Sequence, residues 1–183
     1  MNYILQIRRR RARRARLISA SARVIMYGIL CAKGLLQVKI AIGCDHKGFL
    51  LKDAVVRHLL SAGHEVTDAG TDSAESVDYP VYGERVGRLV ASGECDMGVV
   101  LCGTGYGISL AAGRVKGVRA VCCSDVYTAR LTRNHNDANV LAMGAMVVGE
   151  GLALEILDAF LSEGFLGGRH AERLKMLDAI QPE

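Results

Sequence analysis

From Val38 onward, short apolar runs alternate with amphipathic segments about every 20–30 residues, and few folds accommodate that rhythm. "VKIAIGC" (38–44), "EVTDAG" (65–70), "MGVVLC" (97–102), "GVRAVCC" (117–123) and "NVLAMGAMVVG" (139–149) read as strands, the last carrying a turn. Helices are expected at 47–62, 81–91, after the glycines of 103–107, at 124–136, at 150–162 and at 170–179. In the first, Leu50, Leu51, Ala54, Val55 and Leu59 share one face, and Asp45 is placed to cap it. With no Trp and only 5% aromatic residues, the core must come mainly from Val, Leu, Ile and Ala, which suits a buried parallel sheet. A doubly wound α/β sandwich follows, with ligands expected at the C-terminal ends of the strands.

Charge narrows the possible partners. Residues 1–37 hold nine of the 23 Lys and Arg and none of the 19 Asp and Glu, so the remainder carries a net charge of −5. That body lacks the basic face that nucleic acid requires. The start, with "RRRRARRAR" at 8–16, reads as an extension outside the fold, such as an upstream start in the gene, with a targeting segment or a basic arm as alternatives. Its apolar stretch after Arg23 is too short to span a bilayer, so no membrane role is expected. Six cysteines at irregular spacing, with no C-x-x-C pair and no Cys/His pattern of zinc type, read as reduced thiols of a cytoplasmic protein, and no metal site is expected.

"CGTGYGIS" (102–109) carries the most chemistry. Gly103, Gly105 and Gly107, with Thr104 and Tyr106 between them, let the backbone turn tightly and aim N–H groups at an anion. The spacing is G-x-G-x-G on the third strand, which argues against a dinucleotide fingerprint on the first. Cys102, at the strand end beside a helix N-terminus, is placed where a thiol acts as base or nucleophile, although a lone cysteine is commonly packing. Asp45 and His46 follow strand one, and Tyr79 lies in the polar loop after strand two. His135 and Asn136 end a helix, where they read as ligand contacts or as a C-terminal cap. Arg169 and Arg173 share one face at a helix start, where their repulsion is relieved by a phosphate.

In their order, "GCDHKGF", "DYP", "CGTGYGIS", "RNHNDANVLAMG" and "GGRH" resemble the ribose-5-phosphate isomerase B family, which includes galactose-6-phosphate isomerase subunits. The resemblance covers residues 38–180 and implies a homodimeric three-layer α/β/α sandwich with a five-stranded parallel, flavodoxin-like sheet. It further implies interconversion of aldose and ketose phosphates through an enediolate, without cofactor. On the matching residues, Cys102 would move the proton and His135 would open the sugar ring. Thr104 and the glycine N–H groups would hold the enediolate oxygens. Asp45, Tyr79 and Asn136 would position hydroxyls, and His46, Arg169 and Arg173 would take the phosphate. Some members place a glutamate base just after the third glycine, where this chain has Ile108, so the cysteine subgroup matches. Met146 stands where many members have Arg in G-S-R-V-V-G, a missing contact to the phosphate or sugar end unless another cation substitutes. A sugar phosphate of another length, or a non-catalytic sensor of such a compound, are the alternatives the residues leave open.

Overall fold

The computed structural model describes residues 37–180. The basic segment expected to stand apart from the fold therefore lies, but for Gln37, outside the described residues, as does Cys31. Eleven elements alternate: β1 (Lys39–Cys44), α1 (Phe49–Ser61), β2 (Glu65–Asp68), α2 (Tyr79–Ala91), β3 (Met97–Cys102), α3 (Tyr106–Gly113), β4 (Ala120–Cys122), α4 (Val126–Asn136), β5 (Val140–Gly144), α5 (Glu150–Ser162) and α6 (Arg169–Asp178).

All strand pairs are parallel, in the order β2-β1-β3-β5-β4. The flavodoxin-like α/β/α architecture expected from the sequence is present, with one exchange from the 2-1-3-4-5 order: β5 inserts beside β3 and leaves β4 at the edge. From β1 the chain moves outward to β2, then returns to β3 on the other side. The crevice between the C-terminal ends of β1 and β3 is thus a topological switch point, where open α/β sheets bind ligands.

Two cores flank the sheet. On one face Leu51, Val55 and Leu59 of α1, Ala129 of α4, and Ile156, Leu157 and Phe160 of α5 pack on Ile40, Ile42, Val99, Leu101, Leu141 and Met143. On the other, Val86 and Val90 of α2 and Ile108 and Ala112 of α3 pack on Ala41, Val100, Val140, Ala142 and Cys102. The strands are small on this second face: a Cβ on Gly98 would stand 2.7 Å from Val86, so α2 sits close against the sheet. Full burial of each large side chain contributes about 1.5–3 kcal/mol. No helix among the described residues is long and apolar enough to cross a membrane.

Several boundaries differ from those expected. Asp45 does not cap α1: its Oδ1 accepts from the N–H groups of Lys47 and Gly48 at 2.9 and 3.0 Å, closing a separate turn before the helix begins at Phe49. Helix α2 starts at Tyr79 rather than Val81, with Pro80 in its first turn, where a missing N–H costs nothing. Strand β4 is only 120–122: Gly117 turns the chain at φ 87°, and Arg119 is tied to Asp137 and Asn139 before the ladder begins. Leu50, expected on the buried face of α1, is exposed, and α4 is capped by Asp125, whose Oδ1 accepts from Thr128 N at 2.8 Å.

Candidate active site

The end of β3 meets the glycine turn in the switch-point crevice. Cys102 is buried at 5% exposure, and its sulfur accepts the Gly105 N–H at 3.1 Å. Gly105 takes φ 83°, a left-handed conformation that strains any side chain. A Cβ there would also lie 2.7 Å from the Cys122 sulfur and 2.8 Å from the Met143 carbonyl carbon. The three alternate glycines have separate duties. Gly105 makes the turn, whereas Gly107, already in the first turn of α3, leaves room for the Tyr79 ring, which a Cβ would approach to 2.7 Å. Gly103 faces the crevice, flanked by the Met146 sulfur and the Lys47 stem at 3.4 and 3.7 Å from where a Cβ would be. Thr104 and Tyr106 are exposed beside it.

Asp45 and His46 stand across the crevice, after β1. Asp45 is buried at 5%, with one carboxylate oxygen committed to its turn. His46 Nδ1 lies 3.2 Å from both the N and the O of Val77, which orients the ring and leaves Nε2 without a partner among the described residues. Cys122 lies against the turn, 3.7 Å from the Thr104 carbonyl, and burial pushes its thiol up to about 11. Burial raises the Cys44 thiol to about 11 as well, against the opposing pull of the Lys52 ammonium. No group of three His, Cys, Asp or Glu residues among the described ones is arranged to hold a metal ion.

The other four site residues expected from the sequence are elsewhere. His135 and Asn136 close α4, and in a parallel sheet a helix that follows one strand ends where the next begins. Val140, which opens β5, pairs with Gly98 near the start of β3, whereas Cys102 pairs with Gly144 at the far end. Four residues of strand, about 13 Å at 3.3 Å each, separate the two levels. Arg169 and Arg173 lie with His135 on this N-terminal edge, since the rings of His135 and His170 stack with centroids 4.1 Å apart and planes 5° from parallel. Ligands were expected at the C-terminal ends of the strands, and these four candidate residues lie instead at the opposite edge of the sheet.

His170 was not singled out from "GGRH", where the arginine drew attention. It is buried at 8%, and burial, with His135, Arg169 and Arg173 nearby, holds its imidazole below the usual histidine range. The cap reading of His135 and Asn136 falls away, because Asp137 ends α4 in a left-handed conformation at φ 45° with its N–H on the Arg133 carbonyl. Neither the His135 nor the Asn136 side chain has a hydrogen bond among the described residues, and Arg169 and Arg173 are exposed without a carboxylate partner there. Beside them, Arg133 is spent on the helix end, its NH1 donating to Asp137 and to the Ala138 carbonyl.

Comparison with known proteins agrees with this geometry. Residues 40–177 match the Ribose/Galactose Isomerase family. Ribose-5-phosphate isomerase B of Escherichia coli is 53% identical over 143 residues, 78% of this chain and 96% of that protein. Galactose-6-phosphate isomerase subunit LacB of Clostridium acetobutylicum is 47% identical over 122 residues, 67% of this chain and 70% of its own. Among solved structures, ribose 5-phosphate isomerase of Thermotoga maritima aligns with a TM-score of 0.77 at 48% identity, covering 79% of this chain and all of that one. With the parallel sheet, the cysteine–glycine turn at its switch point and this extent of similarity, the chain belongs to the Ribose/Galactose Isomerase family.

Proposed function

We propose that this sugar-phosphate isomerase interconverts ribose 5-phosphate and ribulose 5-phosphate as a cytoplasmic homodimer, each site combining the Cys102 edge of one copy with the His135 edge of the other. The observation that carries the chemistry is Cys102, seated on the Gly105 N–H in the β1/β3 crevice across from Asp45 and His46. The observation that favours a shared site is the placement of His135, Asn136, Arg169 and Arg173 on the opposite edge of the same sheet, out of reach of Cys102. The match over residues 40–177 favours an isomerase domain of 38–183 with the basic segment 1–37 outside it.

The reaction runs as follows. The partner's His135 moves the anomeric hydroxyl proton to the departing ring oxygen, opening the sugar to its aldehyde. Cys102 sulfur takes the proton from C2, and the electron pair passes through C1 onto the carbonyl oxygen. The resulting enediolate is held by the N–H groups of the glycine turn and by the Thr104 hydroxyl, whose preorganised dipoles need no rearrangement as charge develops. The hydroxyl proton passes from O2 to O1, Cys102 returns its proton to C1, and the ketose is complete. Asp45, Tyr79 and the partner's Asn136 orient the hydroxyls, and the turn with Tyr106 closes over the reacting carbons. His46 Nε2 with the partner's Arg169 and the partner's Arg173 receive the phosphate. Ribose 5-phosphate is preferred over a hexose phosphate because most of the similarity reported above is to isomerases of that pentose.

The test is isomerisation of a panel of tetrose, pentose and hexose phosphates, with Cys102→Ala as the control. Highest kcat/KM for ribose 5-phosphate, lost in that variant, is expected. A higher value for a hexose phosphate overturns the substrate, and undiminished turnover by Cys102→Ala removes the thiol as base. Tight binding without turnover or solvent exchange of the C2 proton would instead leave a sensor.

A further inference from the structure

Five loops leave the C-terminal ends of the strands, at 45–48, 69–78, 103–105, 123–125 and 145–149. They contain five acidic residues, Asp45, Asp72, Glu75, Asp78 and Asp125, and a single Lys or Arg, Lys47. A phosphorylated sugar brings a charge of about −1.5 to −2 near neutral pH into that setting. The nearby cations of adjoining helices are already engaged: Lys52 is buried on Asp68 and the Thr71 carbonyl, and Arg85 donates to the Ala69 carbonyl. Lys47 is exposed, and among the described residues its ammonium has neither a carboxylate partner nor an aromatic face.

Its direction is as informative as its charge. The Lys47 backbone N–H is pinned on Asp45 Oδ1, and its Cβ and Cγ lie 3.7 and 3.8 Å from where a Gly103 side chain would begin. The stem therefore runs beside the first glycine, where the Met146 thioether also lies and supplies no charge. Cys102 is buried and the reacting carbons must reach it, whereas Lys47 sits at the rim. A strongly hydrated ammonium on a flexible stem suits the end of the substrate that stays near water. We propose that Lys47 binds the substrate's phosphate from within the Cys102 half-site, reaching over Gly103 to the same anion as His46. This rests on the reading of the chain as a sugar-phosphate isomerase, but the phosphate contact can be measured without turnover.

Two measurements on the full chain decide it, using wild type, Lys47→Gln and Lys47→Arg. The first is KM and kcat for ribose 5-phosphate, and the second is the dissociation constant of inorganic phosphate by calorimetry. Lys47→Gln is expected to raise KM and weaken phosphate binding by roughly tenfold each, with Lys47→Arg restoring most of both, as loss and recovery of a charge-assisted contact require. Unchanged KM and phosphate affinity in Lys47→Gln overturns the proposal. So does a fall in kcat at constant KM, which places the ammonium at the reacting carbons instead. If wild type turns over no sugar phosphate yet Lys47→Gln still loses phosphate, the isomerase reading fails and the Lys47 contact stands.

Discussion

At the C-terminal edge of the sheet, Cys102 is held by backbone: a strand end, a left-handed glycine and an N–H on its sulfur. At the N-terminal edge, His135 is held by side chains, stacked on His170 where α4 and α6 meet, with Asp137 taking over the helix end. The first arrangement fixes an atom; the second fixes a plane and leaves the His135 ring nitrogens without a hydrogen bond among the described residues. In the proposed reaction, an atom that takes a proton from one carbon and returns it to the next gains from rigidity. In the proposed dimer, a ring that serves a substrate bound on another copy gains from having no other partner among the described residues.

The largest effect should come from the rigid edge. Cys102→Ala is expected to lower kcat by about 10³-fold, within the range that positioned general bases contribute, while leaving the circular dichroism spectrum unchanged. His135→Ala should cost about 10²-fold, and the two inactive variants sharpen the comparison when mixed. In a two-fold dimer with shared sites, exchange of copies should restore about a quarter of wild-type activity. No recovery would show that each chain works alone.

Stability separates the edges next. Gly105→Ala puts a Cβ at positive φ against the Cys122 sulfur and the Met143 backbone, and should cost about 2–4 kcal/mol in urea unfolding. Gly167→Ala, also at positive φ but with nothing within 4 Å, should cost about 1–2 kcal/mol, the conformational strain alone. Equal losses would break the claim that the first edge is set by packing.

The smallest effect is the dependence on pH. The His170 imidazole is held below its ordinary 6.5 by burial first, then by His135, Arg169 and Arg173. The unfolded chain therefore takes up a proton before the folded one does, and stability rises with pH through this window. His170 contributes fully above about 6.5 and its contribution is lost as pH falls toward the lowered folded value. Unfolding free energy measured from about pH 7.5 to about 5.5 should fall, and His170→Gln should flatten that slope. His64, lowered chiefly by burial, adds a slope of the same sign that the variant leaves in place.

Much of this was legible in the residues themselves. The apolar runs marked β1, β3 and β5, because a strand buried on both faces has no polar positions to disguise it, whereas the partly exposed edge strands β2 and β4 were legible from the alternation around them. Cys102 and its glycines were legible because a turn that tight needs its residues adjacent in the chain. Asp45 was assigned to the wrong turn, since an aspartate before a helix looks the same whether it caps the helix or closes the turn preceding it. The division of the site was harder to see. The spacing of the motifs left open whether they meet within one chain or across two, although the end of α4 had to lie at the sheet edge opposite the end of β3. His170 was missed because a histidine beside an arginine looks exposed until α6 is docked on α4.

One feature of the rigid edge bears on how such a site can change over time. A Cβ on Gly105 would strike the Gly144 amide at 2.9 Å, and a Cβ on Gly144 would strike the Thr104 carbonyl carbon at 2.6 Å. Each replacement is blocked by backbone, that of Met143 and Gly144 for Gly105 and that of Thr104 for Gly144, so no compensating side-chain exchange nearby relieves either. Lys47 and Met146 meet the same turn only through flexible side chains. On the proposed function, mutational drift can therefore alter which phosphorylated sugar is welcomed at the rim while the turn beneath stays as it is.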